Sequence, residues 1–277
     1  MQVLAPAKIN LSLRILGRRS DGFHEIETLI APISLCDEVR IERLSGKQKI
    51  AFGCDDPSVP KGEDNLVVRA AKIFFEETKI SSGVWIQLKK RIPHGAGLGG
   101  GSSDAASTLL ALNKLFERHL PREALAGMAE MIGSDVPFFI FQSTAICEGR
   151  GELVSPARLR EQLSMLLLKP ELGVPTQWAY SRWRDSQEIP GVSYNIQGFN
   201  KQSFVNDLER PVFEKFVVLA QMKMWLLKQA EVGAALMSGS GSTVFAVLPG
   251  DVNANRLATR AKAELDPRLW TCVCKTR

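Results

Sequence analysis

The segment Ile92–Ala106, with the sequence IPHGAGLGGGSSDAA, holds the residues of this chain that are best suited to chemistry. Five of them are glycines, at positions 95, 97, 99, 100 and 101. Glycine leaves backbone N–H groups unshielded, so that several can converge on an anion. Ser102, Ser103 and Asp104 follow and are typical of a helix start. A glycine loop at a helix N-terminus predicts a phosphate site, because the free N–H groups and the positive end of the helix dipole point the same way.

Two well-known phosphate loops fit this segment poorly. GAGLGG matches the dinucleotide pattern G-x-G-x-x-G, but that pattern should follow a strand directly, and residues 89–93 (KKRIP) intervene here. A Walker A loop requires a Gly-Lys-Ser/Thr sequence, which the segment lacks. A flexible glycine linker is the remaining alternative. It is disfavoured because an amphipathic helix follows, with its apolar face on Ala105, Leu109, Leu112 and Phe116.

Three further features could take part in the chemistry, and each has a structural alternative. Lys8 could place a fixed positive charge beside a reacting oxygen, or it could be a solvated strand lysine. Asp135 could take a proton from a hydroxyl nucleophile, or it could be the N-cap of the helix that follows. The loop Ser238–Ser242, SGSGS, could cover bound phosphates, or it could be a simple hairpin turn.

Hydrophobic periodicity predicts the elements that position these residues. Strict alternation over residues 9–15 predicts a half-buried strand, with Lys8 and Asn10 on its polar face. Other elements of the first half follow from similar patterns and from helix stop and start signals. They are strands at Val39–Leu44, Lys49–Phe52 and Val84–Leu88, and helices at Asn65–Thr78 and Pro121–Ile132.

The second half of the chain predicts the order βαββαβ, which is typical of a ferredoxin-like domain. Residues 173–212 would be an insertion between its first strand and first helix. Their aromatic residues, Trp178, Tyr180, Trp183 and Tyr194, would suit a substrate-covering loop or a packed surface loop equally well. The predicted elements are strand Met165–Leu168, helix Glu214–Gln229, strands Ala234–Met237 and Thr243–Leu248, helix Val252–Leu265 and strand Leu269–Cys274.

Bulk composition favours an ordinary globular protein of about two domains, with 277 residues and a net charge of +5. The charge and the run Lys89–Arg91 leave an RNA-binding protein as an alternative of a different class. That alternative is disfavoured because aromatic residues do not interleave with the basic ones. The N-terminus lacks a signal-peptide layout, no apolar run could span a membrane, and the five cysteines include no C-x-x-C. A reducing cytoplasm is therefore expected.

Three segments together resemble the GHMP family of small-molecule kinases. They are PAKINL at 6–11, PHGAGLGGGSSDAA at 93–106 and MSGSGST at 237–243. The resemblance implies an α+β fold of two domains, an N-terminal α/β domain over residues 1–158 and a C-terminal ferredoxin-like βαββαβ domain over residues 159–277. It also implies ATP-dependent phosphorylation of an alcohol, with Mg²⁺. A family member that acts on homoserine or a sugar is the alternative within this class.

Four more segments narrow the resemblance: DGFHE at 21–25, GSDVPFF at 133–139, VPT at 174–176 and NDLE at 206–209. They imply that the acceptor is a cytidine-diphosphate-linked methylerythritol of the non-mevalonate route to isoprenoid precursors. They imply no nucleic-acid or membrane partner, and we expect a monomer or weak homodimer.

The resemblance also assigns roles to individual residues. Lys8 and Asp135 match the catalytic pair of the family. Asn10 and His24 match residues that line the acceptor site, with His24 reading the cytosine edge, while Phe23 and Tyr180 stand where two rings stack on the base. Phenylalanine at position 23, where tyrosine is frequent, keeps the stacking face. The ATP phosphate loop is matched by Pro93, His94, Gly95, Ala96, Gly97, Leu98, Gly99, Gly100, Gly101, Ser102 and Ser103, and no residue is assigned as a metal ligand.

Overall fold

Two β-sheets organise the chain, which a computed structural model describes for residues 1–45, 49–250 and 252–277. The first sheet has eight strands and the second has four. The strands are β1 Gln2–Arg18, β2 His24–Leu44, β3 Ile50–Cys54, β4 Gly83–Lys89, β5 Ala145–Gly149, β6 Leu153–Pro156, β7 Ser164–Lys169, β8 Gln197–Phe199, β9 Gln202–Asn206, β10 Ala234–Met237, β11 Val244–Leu248 and β12 Trp270–Lys275. The helices are α1 Leu66–Thr78, α2 Gly100–Leu115, α3 Arg122–Glu130, α4 Val136–Phe141, α5 Thr176–Arg182, α6 Glu209–Lys215, α7 Val217–Leu227 and α8 Ala254–Glu264.

The long antiparallel pair β1–β2 is the centre of the first sheet, whose main path runs β3-β4-β2-β1-β9-β8, with the hairpin β5–β6 paired to β2. The alternation of β1 buries Ile9 and Leu11 completely. The opposite face carries Lys8 and Asn10, and these are also almost fully buried. The prediction of a half-buried strand was therefore too simple, because other parts of the chain cover the polar face.

Helices α1–α4 supply the apolar partners of the first sheet, with Phe74, Leu109, Phe138 and Phe139 in one buried cluster. Helix α1 starts as predicted, and the side chain of Asn65 caps it by accepting from the N–H of Val67 at 2.8 Å. None of the helices described has both the length and the apolar character that a bilayer crossing requires.

Helix α2 begins earlier than its sequence predicts. Its first residue is Gly100 and its N-cap is Gly99, which has φ +68° and offers no side chain for capping. The left-handed conformation of Gly99 lets the chain enter the helix directly from the loop. Ser103 and Asp104 therefore lie inside the first turns, where both are buried, and the predicted helix start at Ser102–Asp104 is wrong.

The second sheet has the order β10-β11-β7-β12 with every neighbouring pair antiparallel, which confirms the ferredoxin-like prediction. The predicted helix at Glu214–Gln229 is instead two helices, α6 and α7, and α6 begins at Glu209. The break lies at Phe216, whose backbone is non-helical and whose ring meets Trp178 edge-on at 5.7 Å between centroids. Packing against the insertion thus decides a boundary that local periodicity missed.

Residues 173–212 are more regular than an inserted loop, since they contain α5, β8 and β9. Strand β9 pairs in parallel with β1 through Ser12–Val205 and Leu13–Asn206. The insertion therefore adds two strands to the first sheet, and one apolar cluster combines residues of both sheets. The division of the chain at residues 158 and 159 stays a prediction.

Candidate active site

One large cleft, of about 1690 Å³, brings the sequence-predicted residues together. The glycine loop, Lys8 and Asn10 line one part of it, and Phe23, His24 and Tyr180 line another, with Asp135 also on the wall. Ser103 is the exception among the predicted residues. It is fully buried behind the loop, and its hydroxyl has no hydrogen-bond partner among the described residues.

The glycine loop has the backbone that its composition predicts. Gly95, Gly97 and Gly99 have φ values of +61°, +72° and +68°, a region that side chains rarely adopt. A Cβ at Gly97 would lie 2.2 Å from the carbonyl oxygen of Ser238, and one at Gly99 would lie 2.8 Å from the ring of Phe139. No hydrogen bond within the described part of the chain uses the backbone N–H groups of residues 95–101. The loop therefore presents free donors at the N-terminus of α2 and fits a polyphosphate.

Lys8 is a buried, oriented cation. Its ammonium group donates to Asn10 Oδ1 at 2.5 Å and to the carbonyl of Gly97 at 2.8 Å. The amide of Asn10 in turn donates to Thr28 Oγ1 at 2.9 Å, which fixes the orientation of the Asn10 side chain. Burial lowers the pKa of Lys8, and the charge of Asp135 opposes that shift. A solvated strand lysine is excluded, because only 5% of Lys8 is exposed.

Asp135 occupies the N-cap position of α4, but its carboxylate accepts no capping hydrogen bond. It forms no hydrogen bond or ion pair with any other described side chain. The residue is exposed, and it lines the cleft. Burial raises the pKa of Cys147 to about 12, and the negative charge of Asp135 adds to this shift. The carboxylate is thus free to meet a group that enters the cleft.

The loop Ser238–Ser242 closes over Lys8 and joins the glycine loop. The hydroxyl of Ser238 donates to the carbonyl of Gly97 at 2.9 Å, the same acceptor that Lys8 uses. Gly239 has φ +54°, and a Cβ there would lie 3.2 Å from both Lys8 Nζ and Asn10 Oδ1. The loop is therefore more than a hairpin turn, because it forms one wall of the cleft.

Aromatic side chains surround His24. Its ring centroid lies 5.5 Å from that of Tyr180 and 6.1 Å from that of Trp183. Burial, together with the nearby charge of Arg18, lowers the pKa of His24. The neutral imidazole that results at pH 7 has one donor and one acceptor. Phe23 is 51% exposed and lies under the guanidinium of Arg150, 5.2 Å from its ring centroid.

Sequence reasoning assigned no role to several residues of the cleft. Arg150 had a signal, because it stands between two glycines, Gly149 and Gly151, both with positive φ. Trp183 was noted only as one aromatic residue of the insertion. Thr28 had no signal, since only the register of β1 against β2 brings it to Asn10.

The basic run at residues 89–91 is only partly available to a ligand. The Lys90 side chain is enclosed between Asp37 and Asp104, and the exposed Arg91 pairs with Glu38 at 2.8 Å, while Lys89 is exposed. This pairing weakens the support for an RNA-binding protein, which needs free cations that can contact phosphates.

Comparison with known families agrees with the fold and the cleft. Sequence models described as GHMP kinases N terminal domain and GHMP kinases C terminal match residues 65–143 and 195–266. The chain therefore belongs to the GHMP kinases and is a small-molecule kinase.

Individual relatives are similar over nearly their whole length. A protein of Methylacidiphilum infernorum named 4-diphosphocytidyl-2-C-methyl-D-erythritol kinase is 41% identical, over 96% of this chain and 93% of its own length. One of the same name from Acetivibrio thermocellus is 38% identical, over 97% of this chain and 95% of its own. A solved structure of 4-(cytidine 5'-diphospho)-2C-methyl-D-erythritol kinase is 35% identical, covers 100% of both chains and gives a TM-score of 0.80.

A homoserine kinase structure from Cytophaga hutchinsonii is similar in fold only. It is 19% identical, with a TM-score of 0.73 over 100% of this chain and 94% of its own.

Proposed function

We propose that the chain transfers the γ-phosphoryl group of ATP to a hydroxyl of 4-diphosphocytidyl-2-C-methyl-D-erythritol, in the non-mevalonate route to isoprenoid precursors. The observation that carries this proposal is the shared cleft. A phosphate-binding loop, a buried lysine and a free carboxylate lie in the same cavity as a histidine set among aromatic rings. The relatives that cover more than nine-tenths of the chain and carry the corresponding name support the choice of acceptor.

The glycine loop would bind the ATP phosphates through its free N–H groups. Residues Pro93–Ser102 line the cleft and would form this site, with the buried Ser103 supporting it from behind. At the other end, His24 would hydrogen-bond the cytosine edge, while Phe23 and Tyr180 would offer their faces to the base. Asn10, beside Lys8, would contact the acceptor near its reacting hydroxyl.

Lys8 and Asp135 would act on the reacting atoms. The Lys8 ammonium is fixed by Asn10 and Gly97, so it can stabilise developing negative charge without reorganisation. Asp135 would orient the acceptor hydroxyl and accept its proton. It needs no raised pKa for this, because the hydroxyl loses its proton late in phosphoryl transfer and positioning matters most.

The residues of the cleft also fit Mg²⁺ that arrives with ATP. Among the described residues, no group of three or more His, Cys, Asp or Glu could hold a metal ion. Ser102 lines the cleft with a hydroxyl oxygen that binds no other described residue, and one or two protein oxygens plus phosphates are an ordinary Mg²⁺ set. Bound there, Mg²⁺ would neutralise charge on the phosphate oxygens.

We propose that the protein works in the cytoplasm as a monomer or weak homodimer, without a nucleic-acid or membrane partner. Sedimentation over a range of protein concentrations tests the oligomeric state, and a stable higher oligomer would contradict it.

Purified protein incubated with ATP, Mg²⁺ and a panel of alcohols tests the proposed function. The panel comprises the cytidylyl acceptor, free methylerythritol, homoserine, mevalonate and a hexose. We expect turnover of the cytidylyl acceptor alone, and loss of that turnover in Asp135→Asn. Turnover of another alcohol, with none of the cytidylyl compound, would assign a different kinase of the same family. Tight, salt-dependent RNA binding without any kinase activity would contradict the enzyme assignment itself.

A further inference from the structure

The segment Asn206–Glu209 connects strand β1, which bears Lys8 and Asn10, to the loop Ser238–Ser242, which covers Lys8. Asn206 ends β9, which pairs with β1 a few residues beyond Lys8 and Asn10. Both Asn206 and Glu209 are almost fully buried. Neither residue lines the cleft, so any effect on the reaction must pass through other groups.

The side chain of Asn206 is saturated by backbone groups. Its amide donates to two carbonyls, those of Met237 and Gly239, each at 2.7 Å. Its own oxygen accepts from the N–H of Leu208 at 2.9 Å. A single amide group thus holds both ends of the turn that begins the loop Ser238–Ser242.

Glu209 holds the same turn from the side of β10. One carboxylate oxygen accepts from the N–H of Met237 at 2.8 Å, and the other accepts from Lys223 Nζ at 2.6 Å. Lys223 also donates to the carbonyl of Ser193 in the insertion, at 2.6 Å. Burial raises the pKa of Glu209, while the lysine and the backbone N–H favour its charged form. Met237 is therefore fixed through its N–H by Glu209 and through its carbonyl by Asn206.

We propose that Asn206 is a positioning residue for Lys8 and acts through Gly239. The amide of Asn206 fixes the carbonyl of Gly239, and Gly239 lies against the ammonium of Lys8, where even a Cβ would come within 3.2 Å of it. The ammonium has no room to move toward this loop while the two bonds from Asn206 are intact. Without these two bonds the loop could move. The Lys8 ammonium, whose charge would stabilise phosphoryl transfer, would then be held less firmly in position. The inference rests on the proposed function in the choice of acceptor and in the role that it gives Lys8.

The decisive variant is Asn206→Asp. An aspartate keeps the oxygen that accepts from Leu208 and replaces the double donor by an acceptor that faces two carbonyls. Asn206→Ala removes the amide group without adding a charge. A loss of kcat that both variants share therefore cannot be caused by the charge of the aspartate. Two controls match these changes. Asp207→Asn alters the next residue but keeps an oxygen for the N–H of Ile15, and Asn113→Ala removes an asparagine that bonds both backbone groups of Leu120, far from the cleft.

Steady-state kinetics with both substrates varied, corrected for the folded fraction by circular dichroism, is the test. We expect kcat to fall about tenfold or more in both Asn206 variants, since a displacement of about 1 Å can cost about 100-fold. The KM for each substrate should stay within about threefold, because the groups that bind substrate remain. Both control variants should keep the kcat of the wild-type protein, whatever their melting temperatures. If kcat is unchanged in Asn206→Asp, or if it falls equally in Asn113→Ala, the proposal is overturned.

A crystal structure of Asn206→Asp separates this inference from the proposed function. If the wild-type protein fails to phosphorylate the cytidylyl acceptor, the proposed function fails, but the position of Gly239 relative to Lys8 can still be compared. Displacement of Gly239 supports the positioning role. An unmoved loop overturns it, irrespective of the acceptor.

Discussion

The ammonium group of Lys90 lies 2.8 Å from the carboxylate of Asp104, directly behind the glycine loop. The same ammonium also binds Asp37, so two buried carboxylates share one cation. The other oxygen of Asp104 has no hydrogen-bond partner among the described residues. Burial raises the pKa of Asp104 to about 8; Lys90 opposes this shift, and the charge of Asp37 adds to it. Burial therefore favours the neutral form of this carboxyl, which carries a proton.

This proton makes stability depend on pH. The pKa of Asp104 is about 8 in the folded protein and near its ordinary value of 3.8 in the unfolded chain, so the folded state binds the extra proton between these values. The free energy of unfolding should fall as the pH rises from about 5 to about 8, inside the interval between these two pKa values, and should level off above it. In Asp104→Asn, whose amide cannot ionise, this dependence should be weaker. Urea unfolding at both pH values measures the difference, with the exposed Glu77→Gln as control. An equal slope in Asp104→Asn and wild type would contradict the assignment.

Asp135→Asn should lower kcat by at least about 100-fold, the lower range for a positioned acid–base group. Binding of a non-hydrolysable ATP analogue, measured by calorimetry, should be almost unchanged, because the free carboxylate supports no part of the loop. Lys8→Ala should cause a similar loss, and the double variant should lose little more, since the two groups would act on one transition state. Near wild-type turnover in Asp135→Asn would leave this residue as a plain N-cap position.

His24→Ala and Phe23→Ala should each raise the KM for the acceptor about tenfold or more and leave the KM for ATP almost unchanged. Stacking on a base contributes about 1–3 kcal/mol, and leaving the buried edge of the base without its hydrogen-bond partner costs about 1–3 kcal/mol. Phe23 is 51% exposed, so its truncation should change the melting temperature little. Leu153→Ala, another exposed apolar residue, is the matched control. Equal effects on both substrates, with a large loss of stability, would mean that these residues only support the fold.

Gly97→Ala should abolish or strongly weaken ATP binding. The residue has φ +72°, and the added Cβ would meet the carbonyl of Ser238 at 2.2 Å, which forces the two loops apart. Gly127→Ala, in α3 with nothing within 4 Å of the new Cβ, should bind ATP like the wild-type protein. Calorimetry with the ATP analogue compares the two variants. Wild-type affinity in Gly97→Ala would contradict the closed arrangement of the loops.

The parts of the site that could be predicted from the sequence are those with local signals. A sequence pattern of about ten residues is enough to predict each of them: the glycine loop, the strand that bears Lys8 and the turn before Pro137. The predicted start of α2 was wrong because a glycine N-cap has no side chain that could mark it in the sequence. The break at Phe216 depends on a contact with Trp178, which is distant in sequence. The same holds for the pairing of Lys90 with Asp37, which lies 53 residues away in the sequence.

The return of β8 and β9 to the first sheet ties the two halves of the chain together. If the chain were divided after residue 158, the first piece would lose β9, one of the two partners of β1, and present a bare strand edge open to aggregation. Neither half could then be exchanged as a module with that of another kinase by a single crossover. A split version of the enzyme would therefore require residues 197–206 to accompany the first fragment.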